Sequence, residues 1–143
     1  MGKVITIYLA GACKCEPDEG KYWRDQMTDR LKQIAEWSGK EVIIINPLNF
    51  YAYSNLNLEK TTNKEIKEFF FNMISKCDFV LCNATRSSSS PGTMMELQYA
   101  NDHNIPVLSF GENDIYPWLL SCCQAYRKTA TEILDYIRDY YFW

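Results

Sequence analysis

The sequence predicts an α/β domain in which a parallel sheet of about five strands carries helices on both faces, all within one domain spanning residues 1–143. Three observations predict it. Short β-branched runs alternate with runs whose apolar residues recur at helical spacing. The strand-like runs are nearly continuous in apolarity, as expected of strands covered on both sides. The chain, 143 residues long, 47% apolar and 15% aromatic, can bury a core without disulfides or metal and is too apolar for disorder.

The first run, VITIYLA at 4–10, reads as a buried strand. A loop with Pro17 and Gly20 follows, and Trp23, Met27, Leu31, Ile34 and Ala35 then mark one face of a helix that Gly39 is placed to stop. EVIII at 41–45 is a second strand, closed by Asn46 and Pro47. Residues 47–60 read as a long polar and aromatic loop, a length more often functional than connective. Ile66, Phe69, Phe70, Met73, Ile74 and Cys77 define the next helix face. FVLCN at 79–83 and PVLSF at 106–110 are the third and fourth strands, with a helix over about 93–101 between them. QAYRK offers a short edge strand, and Ile133, Leu134, Ile137 and Tyr141 mark a last amphipathic helix.

Fifteen basic and eighteen acidic residues give a net charge of −3 with no block of like charge, so the footprint of a nucleic-acid-polymer binder is missing. The six cysteines show no zinc spacing, and His103 is the single histidine, so they read as free or structural thiols in a reducing, cytoplasmic setting. No metal or cofactor is expected. The opening MGKVIT and LAGAC resemble acylation signals, but the apolar run at 4–10 is too short for a leader or a membrane span.

In a sheet of this kind ligands bind beyond the carboxyl ends of the strands, which singles out loops 11–20, 47–60, 84–92 and 111–117. The loop NATRSSSSPGT runs into a helix start, where free backbone N–H groups and hydroxyls suit an anion such as phosphate, although the same residues also begin ordinary helices. Asn83, Ser90, Gly92, Thr93 and Met94 are the candidate contacts there. Glu96 has two readings. Thr93 and Glu96 have the spacing of a capping box, while a carboxylate at the sheet's carboxyl edge, walled by Met94 and Met95, is also placed to act as a nucleophile. Tyr8 is either a core tyrosine or the phenol that orients that carboxylate. Gly11 leaves room for a ligand, and Arg24 lies off the apolar helix face, near enough to the first loop to meet an anion.

Two blocks, IYLAGA with YWR and then SSPGTMMELQYA, resemble the nucleoside 2-deoxyribosyltransferase family, the second being the more specific. The resemblance implies a flavodoxin-like fold and cleavage of the N-glycosidic bond of a 2′-deoxynucleoside. Glu96 would be the nucleophile that forms a deoxyribosyl ester, Tyr8 its holder, and a base or water the acceptor, by the double displacement of retaining glycosidases. The implied partners are small molecules, namely a deoxynucleoside or deoxynucleotide and a nucleobase, with further copies of the chain completing a homo-oligomer. The aromatic tail DYYFW either serves such an interface or packs on its own core.

Two positions depart from the family pattern. The aspartate expected eight residues before Asp78 is Phe70, which puts handling of the leaving base in question and keeps open a catalytically silent nucleotide-binding module. The family aspartate two residues before the glycine is Ser90, as in related deoxynucleotide hydrolases, and a serine can donate to a 5′-phosphate that a carboxylate would repel.

Overall fold

The computed structural model describes residues 3–13, 16–18, 20–51 and 63–143. Strand β1 (Val4–Gly11) is followed by helix α1 (Lys21–Ser38), and β2 (Glu41–Ile45) by the short helix α2 (Leu48–Tyr51). Helix α3 (Asn63–Ser75) leads to β3 (Phe79–Asn83), and α4 (Pro91–Asp102) to β4 (Val107–Phe110). Strand β5 (Ala125–Arg127) and helix α5 (Ala130–Tyr141) complete the chain. The strand order is β2-β1-β3-β4-β5, and every pairing is parallel. This is the flavodoxin-like order, whose direction of winding reverses between β1 and β3. All five expected strands are present, the QAYRK segment supplying β5.

Strand parity sorts the core into two layers. Ile5, Ile7 and Leu9 of β1 face Met27, Leu31 and Ala35 of α1 and Ile133, Leu134 and Ile137 of α5. Tyr8 and Ala10 face the other way, toward Phe70 and Ile74 of α3 and Leu97 and Ala100 of α4. Both sides of the central strands are covered, which is why their sequences show no polar alternation. Strand β2 lies at the sheet edge, and Ile43 is accordingly exposed.

Helix boundaries follow local chemistry. Asp18 accepts the backbone N–H groups of Gly20 (2.9 Å) and Tyr22 (2.8 Å) at the start of α1. Gly39, at φ 71°, ends that helix by donating to the carbonyls of Ala35 and Glu36, as its position predicted. The 47–60 stretch begins with α2 rather than with open loop, and its remainder from 52 lies outside the described residues. The tail divides: Phe142 is fully buried in the α1/α5 layer, whereas Trp143 is 89% exposed.

Candidate active site

A cavity of about 360 Å³ opens beyond the carboxyl ends of β1 and β3, where the sheet reverses its winding, and is of the size that holds a small ligand. Tyr8 and Glu96 meet in its wall. The parity of β1 turns the Tyr8 ring toward α4, and its phenol donates a hydrogen bond to the Glu96 carboxylate.

Of the two readings of Glu96, the capping box with Thr93 does not form, because α4 begins earlier than the sequence suggested. Ser90 precedes the first turn and Pro91 opens it, which moves Glu96 into the second turn, out of reach of the helix's free N–H groups. Thr93 is buried, and its hydroxyl lies 2.6 Å from that of Ser90. The same Thr-x-x-Glu spacing does cap a helix elsewhere. At the start of α5, Thr129 Oγ1 accepts from the Glu132 N–H (3.2 Å) and bonds the Glu132 carboxylate (2.9 Å).

Burial pushes the Glu96 carboxyl up to about 7, against the opposing pull of the Tyr8 hydrogen bond and the nearby Arg24 charge. For Tyr8, burial is the larger cause and the Glu96 charge the next of a pKa held well above the ordinary phenol value, so it remains a donor. Arg24 is 1% exposed. Its terminal nitrogens donate to the carbonyls of Gly20 (3.1 Å) and Gly11 (3.0 Å), while Nε has no partner among the described residues. It lies among the buried residues of α1, not off the apolar helix face as the sequence suggested, and it lines the cavity.

The serine run splits in two. Ser87 Oγ accepts the Tyr116 N–H (2.8 Å) and Ser88 donates to Asp114, tying the loop to the segment after β4. Ser89 and Ser90 instead line the cavity together with Pro91, Gly92 and Thr93. Opposite them, α3 contributes Asn63, Ile66, Lys67, Phe70 and Phe71. Glu96 therefore sits in a cavity with a hydroxyl-rich flank and an aromatic, cationic one.

Of the residues singled out from sequence, Tyr8, Gly11, Arg24, Ser90, Gly92, Thr93 and Glu96 line this cavity. Asn83 and Met94 do not. The Asn83 carboxamide accepts the Thr85 N–H (3.1 Å) within its own turn, and Met94 packs into the α3/α4 layer while Met95 takes the cavity wall. The closeness that requires Gly11 is an internal one, since a Cβ there would lie 2.7 Å from the Trp23 ring. Cys13, Asn63 and Lys67 were missed as site residues. For Asn63 and Lys67 the available signal was their i, i+4 spacing followed by Phe70 and Phe71 one turn on.

A family model described as nucleoside 2-deoxyribosyltransferase matches residues 7–121. No curated protein matches the sequence. Among solved structures, a conserved protein from Enterococcus faecalis V583 is similar at 13% identity and a TM-score of 0.76, over 95% of this chain and 98% of that one. A 2-desoxiribosyltransferase from Leishmania mexicana is similar at 18% identity and a TM-score of 0.64, over 96% and 99%. The CMP N-glycosidase BcmB of Clostridium botulinum is similar at 17% identity and a TM-score of 0.52, over 94% and 98%. At these identities the likeness to solved structures is one of fold.

Proposed function

The chain belongs to the nucleoside 2-deoxyribosyltransferase family, and from that premise we propose that it cleaves the N-glycosidic bond of 2′-deoxynucleosides or their 5′-monophosphates. The observation that carries the reading is the Tyr8–Glu96 pair in the cavity wall, between a flank suited to an anion and a flank suited to a flat base. A Glu96 oxygen attacks C1′ as the C1′–N bond breaks, and the bond's electron pair leaves with the base. A second base attacks C1′ through nitrogen and loses its proton, releasing the Glu96 carboxylate and a new nucleoside. Water in its place gives the free sugar. Ionised Glu96 is the reactive form, so the rate rises as pH passes through about 7.

The test is chromatography of base released from deoxynucleosides and their 5′-monophosphates, with and without a second base. Wild type is expected to form a new nucleoside and Glu96→Ala none. If Glu96→Ala retains wild-type turnover, the nucleophile assignment is wrong.

A second reading, hydrolysis of 5′-monophosphates, is favoured by the hydroxyl-rich flank. Ser89 and Ser90 line the cavity beside the α4 N-terminus, where backbone N–H groups and hydroxyls suit a phosphate. Ser90→Asp is expected to raise KM for monophosphates about tenfold or more while sparing nucleosides, through like-charge repulsion. Unchanged monophosphate kinetics would remove the phosphate from this flank. Family membership also supports a homo-oligomer, which sedimentation at two concentrations tests. No helix of the described residues is long and apolar enough to cross a membrane.

A further inference from the structure

We propose that Lys67 faces the leaving base and stabilises the negative charge it carries away, so that the enzyme favours bases that depart as anions, uracil and thymine above cytosine and adenine. The inference rests on the reading of Glu96 as nucleophile and adds the leaving-group half of the reaction.

The α3 flank of the cavity combines apolar walls with two polar groups. Ile66, Phe70 and Phe71 supply the walls, and Asn63 and Lys67 the polar atoms. Phe71 is fixed by stacking on Tyr99, centroids 4.5 Å apart, and the Lys67 ammonium lies 5.8 Å from the Phe71 ring centroid. A planar base on this flank would meet aromatic surface and, at its edge, a cation. Among the described residues no carboxylate pairs with Lys67.

Among the described residues, no carboxylic acid or imidazole on this flank can protonate a base before it leaves. Glu96 is the only carboxylate among the described cavity residues, and Tyr8 is already bonded to it. The single histidine is elsewhere, its ring stacked on Tyr99 at 3.9 Å outside the cavity lining. Arg24 is held by the carbonyls of Gly11 and Gly20. Among the described residues, Lys67 is therefore the cation that the α3 flank contributes.

A fixed cation suits a leaving group that departs with its electron pair. As the bond from Glu96 to C1′ forms, the C1′–N1 pair moves onto the pyrimidine ring and spreads to O2 and O4. The Lys67 ammonium donates a hydrogen bond to O2 and keeps its proton, and the released base takes a proton from water. Uracil and thymine accept this charge on two carbonyls. Cytosine and adenine spread it less well and leave more readily after protonation, for which the described residues of this flank offer no acid.

The test is base release from 2′-deoxyuridine, 5-fluoro-2′-deoxyuridine and 2′-deoxycytidine and their 5′-monophosphates, by wild type, Lys67→Met and Lys67→Arg. Wild type is expected to prefer uracil over cytosine substrates by about tenfold or more, and Lys67→Met to lose about 100-fold in kcat on the uracil substrates. The loss should be smaller on the 5-fluoro compounds, whose base needs less help to leave, and Lys67→Arg should restore most of the rate. A merely structural role would slow the uracil and 5-fluorouracil substrates equally. That result, or a wild-type preference for cytosine, would overturn the assignment while leaving Glu96 as nucleophile. Absence of base release from every substrate by wild type would overturn both.

Discussion

Glu96 and Tyr8 form one unit, and their chemistry is set by burial. The Tyr8 hydrogen bond favours the ionised carboxylate, so removing it raises the carboxyl's pKa and leaves the group less well aimed. In Tyr8→Phe the acidic limb of the pH–rate profile should move above its wild-type position near 7, with kcat lowered about 10- to 100-fold, the worth of a charged hydrogen bond. A limb that stays in place would show that Tyr8 does not tune Glu96. The same burial affects stability. The carboxyl's pKa rises from 4.5 unfolded to about 7 folded, so protonation favours the native state. That contribution is full below about pH 4.5 and is lost as pH climbs to about 7. Glu96→Gln should thus be more stable than wild type at pH 8, by about 1–2 kcal/mol in urea unfolding, with the gap closing toward pH 5.

At the scale of elements, the N-terminus of α4 shows how one motif takes two outcomes. Thr93 with Glu96 and Thr129 with Glu132 share a spacing, yet only the second caps a helix. The difference is Pro91, which sits well at a first helical position and starts α4 two residues ahead of Thr93. Gly92 lies on the cavity wall, and a Cβ added there would meet no protein atom within 4 Å. Its lack of a side chain relieves no clash and leaves that part of the cavity wall open. Gly92→Ala should therefore fold with unchanged or slightly higher Tm, since alanine favours helix by about 1 kcal/mol over glycine. Its KM for the preferred substrate should rise. An unchanged KM would place the ligand away from this turn.

At the scale of the molecule, two sheet layers with different duties explain which positions tolerate change. The α1/α5 layer is a closed apolar core that extends to Phe142. Phe142→Ala should cost about 3–5 kcal/mol, as loss of a buried aromatic does, whereas removing the exposed Trp143 should leave thermal unfolding unchanged. Equal effects of the two changes would contradict this packing. The α3/α4 layer instead opens at its edge into the cavity, and Tyr8 belongs to both the layer and the site.

The order of elements, the parallel sheet, the stop at Gly39 and the pairing of Tyr8 with Glu96 were legible from the sequence, the last through family resemblance. Strand runs and helix periods are local, and β-branched runs between helical repeats leave few other arrangements. The split of the serines, the displacement of Asn83 and Met94 from the cavity lining, and the place of Lys67 in that lining were not. Each depends on where a helix starts or how it is rotated against a distant strand, and packing across the sheet decides both. Local sequence thus determined which elements form and on which face each strand residue lies. The tertiary structure alone decided which polar groups share a cavity, because residues 67 and 96 line it together only after α3 and α4 have packed on the same face of the sheet.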